Sequence, residues 1–176
     1  NKSNGQLAVE SEINFEIKKF GIVLYKYYVK GTEVYKDGEL VKFNSKTNQN
    51  GKEKYVNMTL ENGEYNIDGS SYQGKAPLDY LLGTWWNHSI TEAKAQISAV
   101  SGRIIKQKVT FLGEEIVKIK GKSYKTLHFN FSSTDKKLSK GKRLNTDVWY
   151  VEKTLNWIKA SFEKKGKWEY RLISIE

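Results

Sequence analysis

Apolar and polar residues alternate from the start of the chain. Leu7, Val9, Ile13, Phe15 and Ile17 hold odd positions, with Ser11 among them, while Gln6, Ala8, Glu10, Glu12, Asn14, Glu16 and Lys18 hold even ones. Successive strand side chains point to opposite faces, so this period of two predicts a long strand with one wet face. Gly21 interrupts it. A tyrosine-rich strand follows, with Val23, Tyr25, Tyr27 and Val29 on one face. Turn signals then recur at Asp37-Gly38, Asn50-Gly51 and Asn62-Gly63, between the runs Thr32–Tyr35, Glu39–Asn44, Lys54–Leu60 and Glu64–Asp68. Asn-Gly and Asp-Gly adopt the positive φ values that two-residue hairpins require. The pattern predicts an antiparallel meander, because a parallel crossover needs about a dozen residues or more between strands.

Residues 70–102 break this rhythm. Gly74 to Leu82 reads as a loop with a helical turn at Leu78–Leu82, Trp85-Trp86-Asn87 follows, and Ala93–Val100 lacks clean alternation. The 74–102 segment is therefore expected to be a short helical or connecting piece packed across the sheet. Strands resume at Arg103–Leu112, Glu115–Lys120 and Lys122–Ser132, and residues 133–143 form a loop. Leu144–Glu152, Leu155–Lys164 and Trp168–Ile175 complete the set. Roughly ten antiparallel strands curl on themselves, so the expected fold is all-β: a single curled sheet, barrel or half-barrel. With 176 residues and 20.3 kDa, one domain over 1–176 is expected, burying about 70% of the unfolded surface.

Composition narrows the function classes. The absence of cysteine removes disulfides, thiol nucleophiles and cysteine metal sites together. No apolar run reaches the roughly 18 residues of a transmembrane helix. The formal charge of +10 is lopsided: residues 1–92 carry -1 and residues 93–176 carry +11. Such a field favours an anionic surface as partner. Arginine is scarce, at Arg103, Arg143 and Arg171 only. Specific phosphate and guanine recognition leans on the arginine fork, so nucleic acid is disfavoured.

Candidate chemistry is sparse. The Gly-Lys-Ser at Gly121 has its partner glycine at Gly113, which is too distant for a phosphate loop, and the stretch reads as a hairpin. Glu114 and Glu115 are adjacent in a strand and point apart. His88 and His128 are the only histidines, and both are expected at the surface, without metal-ligand spacing. No catalytic residue, cofactor or metal site is expected, and an enzyme reading lacks support from any motif. Two features remain. Lys106 and Lys108 share parity in one strand and Lys118, Lys120 and Lys122 in the next, so a hairpin would set them side by side as a basic patch. Trp85, Trp86, Tyr80, Trp149, Phe129 and Phe131 are candidates to line an apolar groove inside the curl.

The ordered elements Tyr25-x-Tyr27, Glu33-x-Tyr35-x-x-Gly38-x-Leu40-x-x-Phe43-x-Ser45-x-Thr47-x-x-Asn50-Gly51-Lys52, Trp86-Asn87, Ser101-Gly102, Gly121, Trp149-Tyr150 and Gly166-x-x-x-Tyr170-x-Leu172 carry a resemblance. Over roughly residues 13–173 they resemble an uncharacterised family of exported bacterial domain-of-unknown-function proteins. The resemblance implies a secreted or periplasmic all-β domain whose signal peptide has been removed, without known enzyme activity. Its fold is similar to the half-barrels of lipoprotein carriers and other periplasmic lipid binders. Val151 stands where the family usually has Asp. The family also tends to begin one strand earlier, which implies that this chain starts inside the domain.

The resulting expectation is an exported, non-enzymatic binding protein holding a lipid or other apolar small molecule in the concave face. The alternative is an envelope interaction module that docks anionic surfaces through its basic C-terminal half.

Overall fold

The computed structural model describes residues 2–3, 5–163 and 167–173. Strands account for 70% of the chain and helical turns for 4%, so the protein is all-β, and one of its sheets curls into a half-barrel. The strands lie in two seven-stranded sheets instead of one sheet of roughly ten. The first sheet is a strict meander of β1 (Lys2–Ser3), β2 (Gln6–Lys19), β3 (Ile22–Lys36), β4 (Glu39–Gln49), β5 (Lys52–Glu61), β6 (Glu64–Gly69) and β7 (Tyr72–Pro77). The second runs, from one edge to the other, through β14 (Lys167–Arg171), β13 (Trp157–Glu163), β12 (Asn145–Val151), β11 (Lys122–Ser133), β10 (Ile104–Ile119), β9 (Ala95–Ile97) and β8 (Tyr80–Leu82). Among the described residues, no helix is long and apolar enough to cross a membrane.

The 74–102 stretch is where the sequence pattern misleads. It supplies the end of β7 and all of β8 and β9, and the last two have only three residues each. Strands that short cannot display a period. The helical turn expected at Leu78–Leu82 is largely strand β8. The helical element falls later, as a 3-10 turn over His88–Thr91. Pro77 closes β7 at the edge of the first sheet, where its missing N–H costs no ladder bond.

Contacts group the chain into two compact units, residues 1–80 with 97–104 and residues 81–96 with 105–176. In the first unit the alternation of β4 to β7 produces a buried face that includes Leu40, Phe43, Val56, Met58, Tyr65, Ile67 and Ala76. Glu33 is buried there too, accepting a hydrogen bond from the Tyr35 hydroxyl at 2.5 Å. The 97–104 segment closes against the same sheet. Ser45 Oγ donates to the Ala99 carbonyl at 2.6 Å, and the Ser71 amide donates to the Ser101 carbonyl at 2.9 Å.

The Asn/Asp-Gly pairs behave as expected. Asp37 and Gly38, Asn50 and Gly51, and Asn62 and Gly63 all have positive φ, the backbone of the hairpin turn whose twist matches the strands it joins.

Gly69 marks the closest approach in this unit. A Cβ there would stand 2.7 Å from the Ser101 carbonyl oxygen and 2.9 Å from Gly102 Cα, both backbone atoms. Gly69→Ala is therefore expected to destabilise by about 1–3 kcal/mol, since the loop must move to admit the methyl. A lowered urea midpoint and faster amide exchange in β6 and 97–104 are the readouts. An unchanged midpoint would show that the loop yields freely.

Candidate functional site

The inner side of the second unit is built by β10 to β14 and by the 81–96 segment laid over them. Phe131, Val148, Tyr150 and Ala160 form a buried cluster with Ile90 and Ala93, and Leu81, Trp85, Val109, Phe129, Leu144 and Trp157 pack on it. The 3-10 turn is started by Asn87, whose side chain accepts from the Ser89 amide at 3.0 Å. What fixes the segment is Gln107 of β10, only 8% exposed. Its Nε2 donates to the carbonyls of Ile90 (3.1 Å) and Ala93 (2.9 Å), its Oε1 accepts from Gln96 Nε2 (2.7 Å), and its amide donates to Lys94 (3.0 Å). Every polar atom of that buried carboxamide is thus partnered, as burial requires.

Three other buried polar atoms on this side have no partner: His88 Nε2, Tyr150 Oη and Trp157 Nε1. The His88 ring meets Tyr150 edge-on at 4.7 Å between centroids and Phe129 at 5.7 Å. Tyr150 and Trp157 are register partners across β12 and β13. Burial pushes the His88 imidazole below its ordinary value and the Tyr150 phenol well above its own, so both are neutral near pH 7. A buried unpartnered polar atom costs about 1–3 kcal/mol. Three of them beside one cluster make this the chemically unsettled part of the molecule. An aromatic group of Trp85, Phe162 and Tyr170 adjoins it, with centroids 5.9 to 6.4 Å apart.

Of the six aromatic residues singled out in the sequence, Trp85, Phe129 and Phe131 come together here. Trp149 instead lies in a second cluster with Val117 and Ile158. Trp86 is exposed, and Tyr80 is half-buried and belongs to the first unit. His88, Tyr150, Trp157 and Gln107 were not singled out, although His88 stands two residues past the tryptophan pair. Neither histidine is a freely exposed surface residue: His88 is half-buried, and the His128 side chain is 12% exposed.

The basic patch is not assembled as the parity suggested. Lys106, Lys108 and Lys118 all belong to the single strand β10, because Gly113 sits at a register shift and not at a hairpin turn. Lys108 pairs with Ser132 and Lys118 with Ser123. Those serines are an odd number of residues apart in regular β11, so the extra residue of the bulge sends the two lysines to opposite faces. They are also about 33 Å apart along the strand. Lys120 is in the turn that follows, with φ 47°, and Lys122 opens β11. All five lysines are exposed.

On the Trp149 side, the register aligns His128, Trp149, Lys159 and Arg171 across four strands. The His128 ring stacks on Trp149 at 4.0 Å and 15°, and Lys159 Nζ lies 4.0 Å from the Trp149 ring centroid. Glu115 ties the row down, accepting from Trp149 Nε1 at 2.9 Å and facing His128 Nδ1 at 2.8 Å. An ionised carboxylate can only accept, so His128 Nδ1 carries the proton. Asp147 Oδ1 is 3.5 Å from His128 Nε2, and Glu169 Oε2 is 3.3 Å from Lys159. The row holds no serine, threonine or tyrosine oxygen against the imidazole, so it has the orienting half of a nucleophilic triad without an attacking group. Among the described residues, no group of three or more His, Asp or Glu is placed to hold a metal ion.

The Trp149 indole N–H is the chief cause that holds the Glu115 carboxyl below its ordinary value, against the opposing effect of burial, with His128 and Lys159 adding to it. A folded-state value below the unfolded one gives stability at pH above the ordinary carboxylate range. That stability fades as pH falls through the folded value. In Trp149→Phe the Glu115 midpoint, followed by carboxyl carbon NMR, is expected to move up toward the ordinary value. An unmoved midpoint would assign the shift to the neighbouring cations instead.

Among curated proteins and solved structures, none matches this chain. The family model described as Domain of unknown function (DUF6134) matches residues 1–173, nearly the whole chain. The chain belongs to the DUF6134 family.

Proposed function

We propose that the protein is an exported, non-enzymatic binding protein that takes an amphipathic, lipid-like ligand on the aromatic side of its second unit. The observation that carries this reading is the trio of unpartnered polar atoms, His88 Nε2, Tyr150 Oη and Trp157 Nε1. An indole N–H is a donor only, and a phenol can donate. A head group rich in acceptors, such as a carboxylate or ester carbonyl, would complete both, and neutral His88 adds a third contact. Phe129, Phe131 and Trp85 supply the apolar wall for an acyl body, with burial contributing about 25 cal/mol per Å² less the cost of association.

These atoms are closed to water, so ligand access requires the stretch between β8 and β9 to lift from the aromatic cluster. The Gln107 carboxamide, which holds that segment, is the latch. The competing reading, docking on an anionic surface through the basic C-terminal half, is weakened by the bulge that divides its lysines between two faces.

Tyr150→Phe separates a ligand role from a purely structural one. In ligand-free protein, removing an orphan hydroxyl should raise stability by about 1–3 kcal/mol. In the same variant the affinity for oleate, followed by quenching of tryptophan fluorescence, should fall roughly fivefold, the worth of one hydrogen bond. Native mass spectrometry of the purified protein should also reveal a co-purifying lipid. No retained lipid and no saturable oleate quenching would remove the carrier reading.

A further inference from the structure

The hairpin joining β2 to β3 differs from the three hairpin turns that follow it in the sheet. Its two turn residues are Phe20 (φ 50°) and Gly21 (φ 78°). The three neighbouring turns of the same backbone type use Asp37, Asn50 and Asn62 in the first position. A left-handed backbone is unfavourable for a phenylalanine and is much better tolerated by Asn or Asp. The strained position is also spent on display. Phe20 is 92% exposed, and beside it Ile22 is 66%, Leu24 54% and Val23 37% exposed.

The tip also stands clear of the sheet. Strand β4 pairs with β3 only as far as Tyr27, opposite Gln49. The Asn50 amide still reaches the Lys26 carbonyl at 2.8 Å, and from Lys18 to Tyr25 the hairpin is two-stranded, so its apolar end has no third strand to pack on. Charge gives the tip a direction. Between Ile17 and Gly31 the chain carries Lys18, Lys19, Lys26 and Lys30 and not one acid. Glu16 sits at the root, 3.0 Å from both Lys18 Nζ and Lys26 Nζ, and holds those two stems together. Lys19 Nζ is 5.6 Å from the Phe20 ring centroid.

An apolar wedge collared by lysines matches one kind of surface, a bilayer whose interior accepts the wedge and whose anionic headgroups meet the collar. We propose that the Phe20-Gly21 tip is a membrane-docking element that inserts shallowly into anionic lipid. This proposal is independent of the ligand reading, because it concerns another unit and another set of residues.

The decisive variant is Phe20→Asn, which restores the residue type that the turn prefers and so protects the fold. The full chain should sediment with vesicles of equal parts phosphatidylglycerol and phosphatidylcholine, and release them as salt rises. Pure phosphatidylcholine should hold it weakly. Phe20→Asn should bind the anionic vesicles at least about tenfold less while unfolding at an unchanged or higher temperature, because it loses the inserted ring. Lys19→Gln should cost roughly fivefold, one collar charge. No sedimentation with anionic vesicles, or equal sedimentation of Phe20→Asn, would overturn the proposal. So would concentration-dependent self-association of the wild type that disappears in Phe20→Asn without any vesicle binding, since the tip would then be a contact between copies.

Discussion

A single buried carboxamide decides the shape of the second unit. Gln107 donates to two carbonyls of the 81–96 segment and accepts from Gln96, so the stretch between the short strands β8 and β9 is held against the sheet. Apolar packing alone is non-directional and would not specify one seating of such a segment. Four hydrogen bonds from one residue do, and each would leave a buried group unpaired if the segment lifted. The position of Trp85, His88 and Ile90 over the sheet follows from that attachment.

The two sides of the second sheet then manage polar groups in opposite ways. On the Trp149 side most polar side chains are answered, and among the described residues His128 Nε2, 3.5 Å from Asp147, is the one buried side-chain atom there without a hydrogen bond. Glu115 meets Trp149 and His128, Lys159 covers the indole, and Glu169 meets Lys159 and Arg171. Cross-strand register brings these groups into line, and stacking and cation–π attraction add about 0.5–2 kcal/mol each. That side leaves one buried polar atom unpartnered, against three on the other. On the inner side His88, Tyr150 and Trp157 carry buried atoms that nothing in the chain answers. The contrast within one sheet is what makes the inner side the place to look for a ligand.

Much of the first sheet was legible because its strands are long enough to show alternation and its turns carry Asn-Gly or Asp-Gly. The all-β class and the curl followed from those two signals. What escaped was everything set by non-local partners. Three-residue strands such as β8 and β9 have no period to read. Gly113 looked like a hairpin turn because glycine marks turns and bulges alike, and only the pairing with β11 distinguishes them. The inner-side aromatics were found in part, through Trp85, Phe129 and Phe131. Tyr150 and His88 were not, since an unanswered polar atom is a property of surroundings and not of residue type.

The shift at Gly113 makes β10 two half-strands of opposite sense. Before it, Val109 packs toward the inner cluster; after it, Val117 and Ile119 pack toward Trp149. One strand therefore feeds apolar side chains to both layers. In genetic terms, losing the Leu112 codon would take out only the surplus residue: Phe111 would stay opposite Phe129 and Gly113 opposite His128, so the ladder would close into a regular one with Val117 still beside Trp149. The loss would cost the strand its local bend and extra twist, and none of its later pairings.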